Sequence, residues 1–192
     1  MTTEAETLAA FAALAWPGTW FVAEAAPSGR LAVLYAMALG ARSNHDYLGC
    51  EHLVAGAVRA GGLPAVAATD DLRRTAIEAV AASQLLAAVT AAQVEDWFAD
   101  DAAGDPALAL ATIRLLPTLT PRAEAGLRRA RGKAAASAAL DGAGAVHVLS
   151  GVLADPGTVA RHADDLGPAR RLADRRAGWG PLLDLLGETD ST

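Results

Sequence analysis

Residues 51–58 read EHLVAGAV, and residues 146–153 read VHVLSGVL, at a spacing of 95 positions. The two stretches share a histidine, a glycine four residues later and the apolar positions around them: His52 with His147, Gly56 with Gly151, Leu53 with Val148, Val54 with Leu149 and Val58 with Leu153. Self-similarity at a fixed spacing is typical of a duplicated structural unit. We therefore expect two copies of one unit in this chain.

Both copies extend beyond the shared histidine. AATDDL at 67–72 resembles RHADDL at 161–166, at a spacing of 94. Upstream, each copy has a long stretch typical of a helix, at roughly 28–43 and 120–139, followed by a turn that contains glycine. The order of long helix, glycine turn and histidine-containing helix is thus predicted twice.

The composition favours helices. Apolar residues make up 53% of the 192 residues, alanine alone fills 49 positions, and aromatic residues reach only 5%. Alanine is the best intrinsic helix former because it loses no side-chain entropy in a helix. Few segments show the alternating β-branched pattern of strands. The composition excludes a β-sandwich, a β-barrel and a disordered chain, and it predicts a compact all-α protein.

Two helix starts carry explicit signals. Asp105-Pro106 offers a capping side chain followed by proline at the first helical position, ahead of an apolar run to Leu116. Thr120-Pro121 repeats this arrangement. We expect a helix to begin at each site, the first of them extending to Leu116.

The first copy also contains a more specific pattern. Residues 44–53, NHDYLGCEHL, resemble the N-H-x-Y-[IL]-G-[TS]-E-H-[IL] signature of the Clp N-terminal repeat domain, and six defining positions are kept: Asn44, His45, Tyr47, Gly49, Glu51 and His52. Residues 119–123, LTPRA, are similar to the F-T-P-R-A opening of that family's repeats: Thr120, Pro121 and Arg122 belong to it. The second copy keeps His147 but has Val146 in place of Glu51.

The resemblance covers roughly residues 25–175 and implies a fold. In this family, two four-helix repeats pack with pseudo-twofold symmetry into one all-α domain, to which this chain would add terminal and connecting helices. The implied division is an N-terminal helical extension at 1–24, a first repeat at 25–89, a helical connection at 90–118, a degenerate second repeat at 119–176 and a C-terminal tail at 177–192.

The resemblance also implies a function. The family's domain sits on a hexameric unfoldase and receives substrates and adaptor proteins. In the branch associated with the ClpC unfoldase, the motif glutamate helps to bind the guanidinium of phosphoarginine, a role that transfers only to Glu51. The chain would then be a non-catalytic protein- or peptide-binding module of Clp-dependent proteolysis: an adaptor, a substrate-recognition factor or a competitor of the unfoldase domain. A decoy that sequesters cyclic-peptide antibiotics is an alternative.

The motif residues also have interpretations that need no ligand. Gly49 permits a tight turn, and Cys50 or Glu51 begins a helix whose free N–H groups attract anions, so a carboxylate here stabilises the helix with or without a partner. Cys50 stands where the family has a small hydroxyl residue. His45 and His52 suit structural hydrogen bonding better than proton transfer, and Tyr47 suits the core. Glu51 and Cys50 remain the candidate ligand-binding residues.

The distribution of charge leaves open one alternative function, the binding of nucleic acid. The chain has a net charge of −6, which makes it a poor candidate for bulk neutralisation of nucleic-acid phosphates. Residues 120–176 nevertheless carry ten Lys and Arg against six Asp and Glu. A regulatory helical protein that binds nucleic acid would need one continuous basic face, formed by these arginines: Arg122, Arg128, Arg129, Arg131, Arg170, Arg171, Arg175 and Arg176.

Other chemistry is not expected. Cys50 is the only cysteine, which excludes a disulfide framework and suits a reducing cytoplasm. The sequence has no metalloprotease, nucleophile-elbow or nucleotide-binding motif. The apolar run at 31–41 is too short to cross a bilayer. We predict a cytoplasmic protein that is not an enzyme, needs no metal or cofactor, and binds proteins or peptides rather than membranes.

The largest aromatic side chains fall outside both motifs: Trp16, Trp20, Phe21, Trp97, Phe98 and Trp179. In an alanine-rich protein they are the largest apolar contributors. Two interpretations stay open. Either they seal the ends of the repeat pair, or they form a hydrophobic docking groove for a peptide.

Overall fold

The computed structural model describes residues 3–62, 96–97 and 99–154. Within these ranges it has seven α-helices: α1 (Glu4–Ala12), α2 (Thr19–Glu24), α3 (Pro27–Arg42), α4 (Cys50–Arg59), α5 (Pro106–Thr112), α6 (Pro121–Ala136) and α7 (Ala145–Leu153). A 3₁₀ turn covers Asp101–Gly104, and two short strands, β1 (Tyr47–Leu48) and β2 (Thr118–Leu119), pair in parallel. The predicted all-α class is confirmed. The predictions on 67–72, 161–166, 177–192, Phe98 and Trp179 lie outside the described residues.

Capping side chains and prolines set where two helices begin. The Asp105 carboxylate accepts a backbone N–H of the first turn at 2.8 Å, and Pro106 opens α5. The Thr120 hydroxyl accepts a backbone N–H at 3.3 Å, and Pro121 opens α6. Both caps satisfy donors that have no partner inside the helix. The two predicted helix starts are confirmed.

The helix that begins at Pro106 is shorter than predicted. It ends at Thr112 instead of Leu116, and Ile113 already has an extended backbone with φ −79° and ψ 95°. The chain has to extend here because β2 must reach β1 to form the parallel ladder. Leu115 is 83% exposed, so burial of apolar surface does not favour a longer helix.

The helices pack as two pairs, α3 with α4 and α6 with α7, and α4 in turn packs against α7. Each pair meets at a glycine. A Cβ added to Gly56 would lie 2.1 Å from the carbonyl oxygen of Ala32 in α3, and a Cβ added to Gly151 would lie 2.5 Å from the amide nitrogen of Ala130 in α6. At both crossings the backbones touch, and only glycine leaves room for this approach.

The long helices α3 and α6 end in the same way. In each, the N–H groups of the two residues after the cap donate to carbonyls three and five residues back, at 3.1 and 2.9 Å after α3 and at 3.2 and 3.0 Å after α6. This is the Schellman motif, which needs a left-handed residue. Asn44 (φ 56°) and Ala138 (φ 54°) take that conformation, which asparagine tolerates better than alanine.

The core lies between the two helix pairs and reaches into the segments outside them. Trp97 and Trp16 are 2% and 7% exposed, and Trp20 packs at the margin of the core with its ring edge-on to Phe21. These three tryptophans therefore contribute packing area, as the sealing interpretation predicts. The remaining tryptophan lies outside the described residues.

We expect Gly56→Ala and Gly151→Ala each to lower the free energy of unfolding by about 1–3 kcal/mol, because the added methyl would separate two packed backbones. Chemical denaturation measures the change. Gly132→Ala is the matched control, since Gly132 lies within α6 with open space where its Cβ would be. The control should stabilise by about 0.5–1 kcal/mol. Equal effects at all three positions would contradict the close approach.

We expect Ala138→Gly to raise the free energy of unfolding by about 1 kcal/mol, because glycine adopts a positive φ without the Cβ clash that alanine suffers. The same substitution two residues earlier, Ala136→Gly, removes the best helix former from the last residue of α6 and should destabilise. Thermal or urea unfolding compares the two. A loss of stability in both variants would show that the left-handed turn is not strained.

Candidate functional site

Residues 43–49 join α3 to α4, and the sequence-predicted motif at 44–53 covers most of this loop and the first turn of α4. Asn44 supplies the left-handed turn after α3. Gly49, expected to permit a tight turn, has an extended backbone with φ −101° that any residue can adopt, so the tight turn lies five residues earlier than predicted. Gly49 instead forms the N-cap of α4, which begins at Cys50 as predicted.

Three rings of the motif form one cluster. His45 stacks on Tyr47 with centroids 5.1 Å apart, and His52 meets both rings edge-on at 5.1 and 5.3 Å. His52 is fully buried, and its Nδ1 accepts the Gly49 N–H at 3.0 Å. A histidine that caps its own helix in this way fixes the geometry of the first turn of α4.

The hydrogen bonds assign the protons of the pair. Because Nδ1 of His52 accepts from the backbone, a neutral His52 carries its proton on Nε2, which lies 2.9 Å from Nδ1 of His45. His45 must then carry its own proton on Nε2. That nitrogen is buried and has no hydrogen-bond partner among the described residues. The two histidines thus form a structural hydrogen-bond chain, which runs from the Gly49 N–H through His52 to His45 and ends at the buried Nε2–H of His45.

The two candidate ligand-binding residues are the first two residues of α4. Cys50, the only cysteine of the sequence, is 5% exposed, so its side chain belongs to the core. Glu51 is the second helical residue and lies in the first turn, where backbone N–H groups lack intrahelical acceptors and the helix dipole favours a negative charge. The ligand-binding role of both residues remains a prediction.

The second copy repeats the cap without the ring cluster. Nδ1 of His147 accepts the Gly144 N–H at 3.1 Å, and α7 begins at the next residue. Its Nε2 lies 3.2 Å from the Ser137 hydroxyl, which donates to a backbone carbonyl at 3.0 Å. Val146, at the position that matches Glu51, is 39% exposed. The start of α7 therefore presents an apolar side chain in place of a carboxylate.

Burial, and secondarily the charge of Lys133, hold the pKa of His147 below its ordinary value of 6.5. Both effects disfavour the imidazolium form. The neutral ring is also the form that the cap requires, because protonation of Nδ1 would place a hydrogen against the Gly144 N–H. The electrostatics and the hydrogen bonding of the second copy thus favour the same protonation state.

The continuous basic face that the nucleic-acid alternative would need is interrupted on α6. Arg128 bonds to Glu124 at 2.6 Å, Arg131 bonds to Glu24 at 2.9 Å, and Arg129 donates to a backbone carbonyl at 2.8 Å. Arg128 also lies over the Trp20 ring at 5.1 Å. Paired guanidinium groups contribute less to a field that attracts phosphate. The arginines at positions 170, 171, 175 and 176 lie outside the described residues.

Sequence reasoning missed Arg59, in the last turn of α4. Its guanidinium donates to the carbonyl oxygens of Trp97 and Asp100 and lies over the Trp97 ring at 4.7 Å. The sequence shows only that Arg59 is a basic residue near the C-terminus of a helix, which is a common position for arginine and does not indicate a further role. Its acceptors lie 38 and 41 residues away, and the sequence contains no pattern that would connect them.

Comparison with protein-family models, with curated proteins and with solved structures finds no match for this chain. Among the described residues, no group of three or more His, Cys, Asp and Glu side chains is placed to hold a metal ion. In the same part of the chain, every helix is too short or too polar to span a bilayer.

We expect the free energy of unfolding to fall as the pH is lowered from 7.5 to 5, partly through His147. Its folded-state pKa lies below 6.5, so the stabilisation is fully present above pH 6.5 and is lost as the unfolded chain takes up the proton below that pH. Urea unfolding across this pH range measures the slope.

His147→Asn is the informative variant, because an amide oxygen can accept the Gly144 N–H but does not titrate. It should fold and show a smaller pH slope than the unchanged protein. Lys133→Gln should also reduce the slope, since it removes the nearby positive charge. An unchanged slope in His147→Asn would rule out a contribution from this ring.

Proposed function

We propose that this chain is a non-catalytic protein-binding module of the Clp N-terminal type, built from two repeats that pack as pseudo-twofold mates. The observation that carries the proposal is the pair of histidine-capped helices 95 residues apart, His52 on Gly49 at 3.0 Å and His147 on Gly144 at 3.1 Å. The glycine crossings at Gly56 and the matching position in α7 recur at the same spacing.

Reciprocal hydrogen bonds between the copies support the twofold relation. The N–H of Thr120 donates to the carbonyl of Leu48 at 3.1 Å, and the N–H of Ala26 donates to the carbonyl of Ala143 at 3.1 Å. Thr120 follows Ala26 by 94 positions, and Ala143 follows Leu48 by 95. Each copy therefore donates to the other a hydrogen bond equivalent to the one that it accepts, as expected for an isologous, twofold contact.

The start of α4 is the surface that we propose for binding. The positive end of the helix dipole at the start of α4 favours an anionic group, and a glutamate carboxylate such as that of Glu51 is a planar partner for a guanidinium. A phosphorylated arginine carries both an anionic phosphoryl group and a guanidinium. We accordingly propose that arginine-phosphorylated protein segments bind at Glu51 during Clp-dependent proteolysis in the cytoplasm.

The proposed ligand binds one copy only. Val146 occupies the position of Glu51 at the start of α7 and has no group that can accept from a guanidinium. A single site suits an adaptor or a competitor that presents or withholds one tagged segment at a time. The nucleic-acid alternative is weakened by the ion pairs of Arg128 and Arg131, and we do not propose it.

We expect phosphoarginine to shift the amide resonances at the start of α4, and Glu51→Gln to weaken its affinity by roughly 10–100-fold, the range for a hydrogen bond to a charged group. Nuclear magnetic resonance titration of the labelled full chain measures both. Asp46→Asn is the matched control, because it removes an exposed carboxylate from the same loop. Its affinity should equal that of the unchanged protein.

Val146→Glu tests the same idea by gain of function. It should add a second set of shifts at the start of α7, where the cap by His147 already exists. Free arginine and inorganic phosphate, titrated separately, identify which half of the ligand is recognised. The absence of shifts with millimolar phosphoarginine would remove the proposed ligand from this protein.

A further inference from the structure

An open cavity of about 160 Å³ lies between α2, α6 and the turn that joins α6 to α7. Apart from Glu24 and Arg131, its described lining residues are apolar, and most of them are alanines. None of the described lining residues belongs to α4, so the cavity is distinct from the site proposed at Glu51. Packed protein interiors leave few voids larger than a water molecule, so a cavity of this size needs a cause.

The turn after α6 begins in the same way as the turn after α3. Ala138 and Asn44 both take the left-handed conformation, with φ 54° and φ 56°. The next residue, Ala139 in one turn and His45 in the other, donates its N–H to the carbonyl five residues back, at 3.0 and 2.9 Å. Ala139 therefore stands at the backbone position that corresponds to His45.

The two turns also end in the same way. Ala143 and Leu48 accept the equivalent hydrogen bonds between the copies, each at 3.1 Å. Gly142 comes immediately before Ala143, as Tyr47 comes immediately before Leu48. In the first copy the Tyr47 ring stacks on the ring of His45, with centroids 5.1 Å apart. The second copy thus has glycine and alanine at the two positions where the first copy has aromatic rings.

Both of these positions, Ala139 and Gly142, line the cavity. The cavity therefore lies where the second copy lacks the rings of the first. An apolar protein cavity of about 150 Å³ binds a benzene molecule. The cavity beside α6 measures about 160 Å³, so it has room for one six-membered ring.

The remaining lining residues favour an aromatic ring over an aliphatic one. Phe21 is 1% exposed and lines the inner side of the cavity, where a second aromatic ring can meet it edge to face. Arg131 lines the solvent side, with its side chain 57% exposed, and a guanidinium is attracted to the face of an aromatic ring. The paired carboxylate of Glu24, 2.9 Å from Arg131, can accept a hydrogen bond from a hydroxyl group on that ring.

We propose that this cavity binds small phenolic compounds. The ring enters between Phe21 and the guanidinium of Arg131, and its hydroxyl group donates to the carboxylate of Glu24. The ligand thereby takes the place that aromatic side chains occupy in the first copy. This binding does not depend on Glu51, so it is tested independently of the phosphoarginine site.

The test titrates the isotope-labelled full chain with phenol and follows its amide resonances. Shifts are expected at Ala134, Ala139 and Ala143, which line the cavity. A dissociation constant of about 1 mM is within the reach of so small a ligand. Cyclohexanol is the matched control ligand, because it has the same hydroxyl group on a ring without a π face. It should bind at least about fivefold more weakly than phenol.

Ala139→His places the ring of the first copy in the cavity and should weaken phenol binding at least about tenfold, because the two rings compete for one space. Leu140→His is the matched control, since it adds the same side chain at the neighbouring residue, which is 99% exposed. Its affinity for phenol should equal that of the unchanged protein.

Arg131→Gln changes an exposed side chain, so it keeps the proposal testable if Ala139→His does not fold. Loss of the cation should weaken phenol binding about two- to fivefold. The proposal is overturned if phenol shifts no resonance of the cavity at about 20 mM, a concentration well above the expected dissociation constant. It is also overturned if cyclohexanol binds as tightly as phenol, or if folded Ala139→His binds phenol as the unchanged protein does.

Discussion

Backbone contact at two glycines determines how the helices of this protein can pack. Gly56 brings α4 against α3, and Gly151 brings α7 against α6, each at a distance that excludes a single methyl group. Once each pair is this close, the small side chains of an alanine-rich chain are sufficient to fill the space between helices. The high alanine content and the two glycines thus act together: the glycines let the helix backbones approach closely, and alanine side chains then suffice to fill the core.

The histidine caps depend on those crossings. Gly56 lies one helical turn after His52, so the crossing fixes the helix whose first turn His52 closes. Both caps need a neutral imidazole with a free Nδ1 lone pair. In the first copy the cap lies within the ring cluster of His45, Tyr47 and His52. In the second copy burial and the charge of Lys133 lower the pKa of His147, which favours the neutral ring.

Local signals predicted the parts of this fold that local chemistry determines. The starts of α5 and α6 at Pro106 and Pro121 were predictable because the capping groups are adjacent to the helices that they cap. The end of α5 was not, because it is set by a strand pairing with residues 71 positions away. The hydrogen bonds of Arg59 could not be predicted from sequence for the same reason, because their acceptors lie 38 and 41 residues away. The candidate site lies between these cases: the motif alone indicates the histidine cap of α4, whereas a ligand leaves no trace in the chain's own contacts.

The two copies differ at charged positions, while the packing positions remain alike. The glycine crossing and the histidine cap occur in both. Glu51 and Arg59, by contrast, correspond to Val146 and Ala154. A duplicated unit needs both copies to bury its core, but it needs only one to bind. The core therefore constrains both copies, whereas the binding role proposed for Glu51 constrains only the first.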